Sequence, residues 1–256
     1  MSGSFSTKTL TILNEALKIA EIAKKENIPL RIIGACAILI HSKNFQDLYL
    51  KFERELTDLD FITYSKYRDK VKTFLLKLGY EADERFIYYF GEFRHKYYER
   101  IKNITLEVFF DKIEMCHTID LSNRLELDYP TIPPVDLLME KLQIVEINEK
   151  DLKDLILLLR AHDVSYGSND VIDVTRIAKL LSKDWGFYYT VNLNLERIKN
   201  YLGKLKLEAN DKKNIEEKIE KIKKAIEDEP KSLSWKMRAK IGLKKKWYRE
   251  VEEVIR

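Results

Sequence analysis

The chain has 256 residues, 45% hydrophobic and 34% charged, with 8 Gly, 5 Pro and 2 Cys. That length buries a sizeable core in one or two domains, and the composition excludes collagen-like, low-complexity and disulfide-framework classes. The net charge of +4 hides an asymmetry: between Lys199 and Arg249, 17 Lys and Arg face 8 Asp and Glu, a surplus of nine that leaves −5 for the rest.

Leu10, Leu13, Leu17 and Ala20 fall at helical spacing, which predicts an amphipathic helix over Thr7–Lys25. Asn27-Ile28-Pro29 ends it. Leu30–Ile33 reads as a short buried strand closed by Gly34, with a helix starting at Ala35 and running to His41. Phe45–Glu55 is ambiguous. Leu59–Thr63 reads as a strand, and Asp69–Leu78 as a helix capped by Gly79. Phe86–Phe90 and Ile104–Phe110, rich in aromatic and β-branched residues, read as further strands. Near Pro130–Pro134 the texture changes to helical patterns. These include stripes at Leu152, Leu155, Ile156 and Leu159 and at Ile215, Ile219, Ile222 and Ile226, then a terminal basic helix over Ser232–Trp247. The longest uncharged apolar stretch, Ile32–Ile40, falls short of the roughly 20 residues a membrane span needs. Met1–Thr7 lacks the basic-then-apolar form of a secretory leader. No membrane partner and a cytoplasmic location are therefore expected.

The most informative segment is Arg54-Glu55-Leu56-Thr57-Asp58-Leu59-Asp60-Phe61. On a strand Asp58 and Asp60 share one face, with Leu59 and Phe61 on the other. Two adjacent carboxylates repel unless a cation lies between them, and their hard oxygens suit Mg²⁺. An isolated D-x-D also occurs on ordinary exposed strand edges. Two further segments favour the metal reading. Ile32-Ile33-Gly34-Ala35 is a strand, a turn without bulk and a helix start, a geometry that lets backbone N–H groups approach a triphosphate. Glu107 stands in an otherwise apolar strand, where a carboxylate is costly without a cation or a donor; it is the candidate third acid. Cys116-His117 beside Glu114 lacks a second ligand pair at zinc spacing. His41, His95 and His162 read as structural. Tyr88, Tyr89, Tyr97 and Tyr98 read as strand faces or as a platform for a base.

Gly34-Ala35 followed by Arg54-Glu55-x-x-Asp58-Leu59-Asp60 resembles the signature of the nucleotidyltransferase superfamily with the DNA polymerase β-like fold. Within it, the chain is most similar to the AbiEii-like branch, toxin components of toxin–antitoxin and phage-defence systems. The resemblance covers roughly Ile32 to Leu159. It implies an α+β fold, with a nucleotidyltransferase-like mixed sheet flanked by helices in residues 1–131 and an all-helical C-terminal domain with a basic tail in residues 132–256. It implies transfer of an NMP from an NTP to an acceptor hydroxyl, with Mg²⁺ or Mn²⁺ as cofactor and an antitoxin protein as partner. By this resemblance Asp58 and Asp60 hold a metal against the triphosphate, and Glu107 joins them at a second ion. Lys141, in Asp136-Leu137-Leu138-x-x-Lys141, supplies a cation to the triphosphate, and Asp151 orients Lys141 or the nucleotide sugar. Gly34 and Ala35 approach the phosphates, and Arg54 positions the acidic strand or touches phosphate. The chain departs from the family in having Gly34-Ala35 for Gly-Gly or Gly-Ser, and Glu107 for Asp. Those departures keep open a catalytically weakened module binding NTP or nucleic acid; adenylylation of a protein or small molecule, by the same acids with a different acceptor, is a further alternative.

In the basic tail, Lys236, Arg238, Lys240, Lys244, Lys245 and Lys246 lie close together with Trp235 and Trp247 interleaved. Cations for phosphates beside aromatics for bases suit single-stranded RNA or a tRNA end. The same pattern also fits a helix whose lysines only face solvent.

Overall fold

Ser6 opens the first helix by accepting a hydrogen bond from the Thr9 N–H at 3.2 Å, and Lys24 and Lys25 sit where the helix dipole favours cations. The computed structural model describes residues 4–167 and 170–251. Residues 1–3 and 252–256, the outer ends of the two expected domains, lie outside the described residues, as do 168 and 169. The chain divides into two units. One runs to Glu114 and includes Ile119–Ile132; the other comprises Met115–Thr118 and the chain from Pro133 onward. Eleven α-helices are present among the described residues.

The first unit begins with α1 (Thr7–Lys25), β1 (Arg31–Ile33), α2 (Gly34–His41), α3 (Gln46–Lys51) and β2 (Leu59–Thr63). It continues with α4 (Arg68–Lys77), β3 (Glu81–Ala82), α5 (Glu84–Phe90), β4 (Arg94–Glu99) and β5 (Ile104–Phe110). β6 (Lys112–Glu114) and β7 (Thr118–Asp120) form a two-stranded ribbon. The main sheet is mixed, in the order β1-β2-β5-β4-β3; β2 and β5 are parallel and the other pairs antiparallel. One face is core: Ile32, Phe61, Leu106, Val108 and Tyr97 are fully buried. The segment before Pro133 is tied to the sheet edge, since Ile32 donates to the Pro130 carbonyl at 2.9 Å and bridges Thr131.

The expected strand over Phe86–Phe90 is a helix, α5. Asp83 caps it by accepting from the Phe86 N–H at 2.9 Å, and Phe86 and Phe90 stack one turn apart with ring centroids 5.0 Å apart. A cap and an i,i+4 aromatic pair outweigh the β-preference of aromatic residues.

The second unit contains α6 (Pro134–Leu142), α7 (Glu149–Ala161), α8 (Val174–Leu181), α9 (Trp185–Leu202), α10 (Ala209–Asp228) and α11 (Leu233–Ile241). Ile215, Ile219, Ile222 and Ile226 are all buried, as their spacing predicts. A short parallel pair, β8 (Val164–Ser165) with β9 (Ile172–Asp173), interrupts the helices. The terminal helix stops well before Trp247, because Gly242 turns the chain at φ 57. No helix among the described residues is long and apolar enough to cross a membrane.

Candidate active site

Ile33 leaves β1 extended, and Gly34 turns the chain into α2 at φ 70. A residue with a Cβ adopts that conformation only at a cost. A Cβ on Gly34 would also lie 2.9 Å from Asp60 Oδ2, so the turn and the carboxylate pack directly on each other. Asp60 is second in β2, opposite Ile33 on one side and Glu107 on the other. Asp58 immediately precedes the strand, and its Oδ1 accepts from Thr57 Oγ1 at 3.1 Å. Leu59 and Phe61, between and beyond the acids, are fully buried, while Asp58 and Asp60 are half-buried. Ala35 follows Gly34 in the first turn of α2 and is half-buried. Cys36 comes next, in the core; burial first, and the charge of Asp60 second, push its thiol up to about 12. It is therefore not a nucleophile. Arg54 donates to the carbonyl oxygen of Glu55.

Glu107 stands one strand from Asp60, about 4.8 Å away along the hydrogen-bonding direction. Its carboxylate is paired with β4: Arg94 Nη1 lies 3.2 Å from Oε2 and Lys96 Nζ 3.4 Å from Oε1. Register alone accounts for the second pair, because Lys96 is directly opposite Glu107. Among the described residues, no group of three or more His, Cys, Asp or Glu side chains is arranged to hold a metal ion. Asp58 and Asp60 are hard-oxygen donors two residues apart at the start of β2, the type that a divalent cation takes. Glu107 already has two cations against its single charge.

In the second unit Lys141, on α6, lies 2.9 Å from Asp151 Oδ1 and 3.3 Å from Asp154 Oδ2, both on α7. Burial disfavours its charge, but Asp154 and Asp151 outweigh burial and hold the ammonium above its usual range. Asp151 also completes a capping box with Asn148 at the start of α7. It thus serves both as a helix-terminal acid and as a partner of Lys141. Asp154, three residues after Asp151 on the same face of α7, is the second partner of Lys141. Asp136, fully buried, pairs with Arg176 at 3.3 Å.

Lys236, Lys240, Lys244, Lys245 and Lys246 are exposed. Arg238 is turned inward: it donates to the carbonyls of Gly242 and Lys245, each at 2.7 Å, and lies 4.7 Å over the Trp185 ring. The two tryptophans pack within the unit, Trp235 edge-on to Tyr188 and Trp247 edge-on to Tyr189. Trp247 Nε1 also donates to Thr190 Oγ1 at 3.0 Å, and Arg249 donates to Met115 O and Thr118 Oγ1. The segment after Gly242 is therefore a strap across α9. His117 is a core residue stacked on Phe187 at 4.8 Å, with Nε2 2.8 Å from Thr190 Oγ1. Tyr88 and Tyr89 are 83% and 66% exposed on α5, whereas Tyr97 is buried.

No protein-family model matches the chain, and no curated protein matches it. Among solved structures, it is similar to an antigenic nucleotidyltransferase-like protein from Paracoccidioides brasiliensis. The identity is 14%, 91% of this chain and 98% of that chain are covered, and the TM-score is 0.43. A likeness at that level carries no weight for fold or chemistry.

Proposed function

We propose that the first unit is a Mg²⁺-dependent nucleotidyltransferase that moves an NMP from an NTP to an acceptor hydroxyl. The observation that supports this reading is the packing of Asp60 against the Gly34 turn into α2, with Asp58 two residues earlier, just ahead of β2. Asp58 and Asp60 would hold the ion, Asp58 oriented by Thr57 and Asp60 by the turn. Mg²⁺ bound there supplies positive charge to the α-phosphate and the departing pyrophosphate. Gly34 and Ala35 bring the start of α2 close to the phosphates, where the helix dipole favours anions. The acceptor hydroxyl gives up its proton to solvent and its oxygen bonds to the α-phosphorus as the bond to the α,β-bridging oxygen breaks, releasing pyrophosphate. RNA is the acceptor class we propose, supported by the exposed lysines around α11, which suit backbone phosphates.

A second reading, nucleotide binding without turnover, is favoured by one observation: Glu107 is matched by Arg94 and Lys96. Incubation of the full chain with labelled NTPs, Mg²⁺ and total RNA separates the two. Transfer is expected to place label in RNA and release pyrophosphate, both lost in Asp60→Asn. Thermal stabilisation by NTP without pyrophosphate release favours the second reading. Label that survives RNase assigns the acceptor to a protein or small molecule.

A further inference from the structure

Three side chains alternate on the outer face of β4: Arg94, Lys96 and Tyr98. They share that face with Glu107 on β5 and Asp60 on β2, because Lys96, Glu107 and Asp60 form one continuous row of register partners. The side chains of Arg94, Lys96 and Glu107 are 18%, 12% and 20% exposed, so the cluster is recessed but open. Both cations lie over the ring of buried Phe86, at 5.0 Å for Arg94 and 5.7 Å for Lys96. The ring and the carboxylate thus fix them from two sides. Lys96 stands two strand spacings, about 10 Å, from Asp60 along that row.

Resting on the nucleotidyl-transfer reading, we infer that Arg94 and Lys96 bind phosphate beside the Asp58–Asp60 pair, and that Glu107 is the positioning residue that aims them rather than a metal ligand. A guanidinium and an ammonium held side by side bind phosphate oxygens through charge-assisted hydrogen bonds. Glu107 aligns both cations before the ligand arrives, which spares the entropy of ordering two long side chains. The phosphate belongs either to the triphosphate of the substrate or to the backbone of an RNA acceptor.

The test uses the full chain, with Mn²⁺ binding followed by electron paramagnetic resonance and anion binding by calorimetry. Asp60→Asn should lower Mn²⁺ affinity roughly tenfold or more, and Glu107→Gln should leave it within about twofold of the wild type. Lys96→Gln should weaken binding of tripolyphosphate or of a short single-stranded oligoribonucleotide roughly tenfold, the scale of one charge-assisted hydrogen bond. Lys96→Arg should restore it, which a merely misfolded Lys96→Gln would not explain. Loss with tripolyphosphate assigns the site to the nucleotide, and loss with the oligoribonucleotide assigns it to the acceptor. Mn²⁺ affinity lost in Glu107→Gln, or both anions unmoved by Lys96→Gln, overturns the inference and leaves the transferase reading in place. Anion binding that depends on Lys96, with Mn²⁺ affinity indifferent to Asp60→Asn, instead ends the transferase reading and leaves the phosphate site standing.

Discussion

Replacing Gly34 by Ala probes how closely the β1–α2 turn and the Asp60 carboxylate depend on each other. Two costs arise, and they have different signatures. At φ 70 a residue with a Cβ is strained by roughly 1–2 kcal/mol. In a unit of this size that strain lowers the melting temperature by roughly 3–8 °C. The new methyl would also meet Asp60 Oδ2 at 2.9 Å, against an ordinary contact of about 3.5 Å. The carboxylate, being the end of a side chain, gives way by about half an ångström, enough to spoil ion coordination, which tolerates only about 0.2 Å. Gly34→Ala is therefore expected to melt lower and also to lose Mn²⁺ affinity. Adding Asp60→Ala removes Oδ2, so Gly34→Ala in that background should cost only the backbone strain. Melting curves of the four proteins, with Mn²⁺ titrations of the wild type and Gly34→Ala, separate the two costs. A Gly34→Ala protein with wild-type stability and wild-type Mn²⁺ affinity would refute the reasoning.

Lys141→Met removes the cation between Asp151 and Asp154 and leaves two buried carboxylates exposed to each other; about 3–5 kcal/mol of stability should be lost in urea unfolding, and an unchanged midpoint would contradict a buried triad. Burial is the main cause that pushes His95 and His117 down to about 4, against about 6.5 unfolded. The unfolded chain thus takes up protons first. Stability should be level above pH 7, fall between about pH 6.5 and 4 by up to roughly 3 kcal/mol per histidine, and gain no further loss from these groups below that. A flat profile across that window would show that neither ring must stay neutral. A Cβ on Gly186 would overlap the Trp247 carbonyl oxygen, so Gly186→Ala should displace the strap at a cost of about 1–3 kcal/mol. Faster proteolysis after Lys245 would report the displacement, and an unchanged cleavage rate would deny it.

Much of the first unit was legible from periodicity, since α1, β2 and β5 carry clear apolar patterns with periods of 3.6 and 2. β4 was not, because its buried side is His95, Tyr97 and Glu99, residues that hydropathy counts as polar or ambivalent. Missing β4 hid the partners of Glu107. The sequence marked a carboxylate in an apolar strand as needing a cation or a donor, and Arg94 and Lys96, thirteen and eleven positions earlier, pair with it. The Gly34 turn and the Asp58–Asp60 pair were visible because each depends on local chemistry, a residue without a Cβ and a two-residue alternation. In the tail, charge was read correctly and shape was not. Gly242 ends α11, and of the aromatic residues read as stacking on bases, Trp235 packs α11 against Tyr188 of α9 while Trp247 holds the strap against Tyr189.

The most direct measurement is a crystal of the full chain grown with Mn²⁺ and a non-hydrolysable NTP, with the anomalous signal used to locate the ion. One peak within about 2.0–2.3 Å of a carboxylate oxygen from each of Asp58 and Asp60 is expected, with the triphosphate at the start of α2. An ion bound elsewhere, with those oxygens empty and the nucleotide away from Gly34, would contradict the assignment.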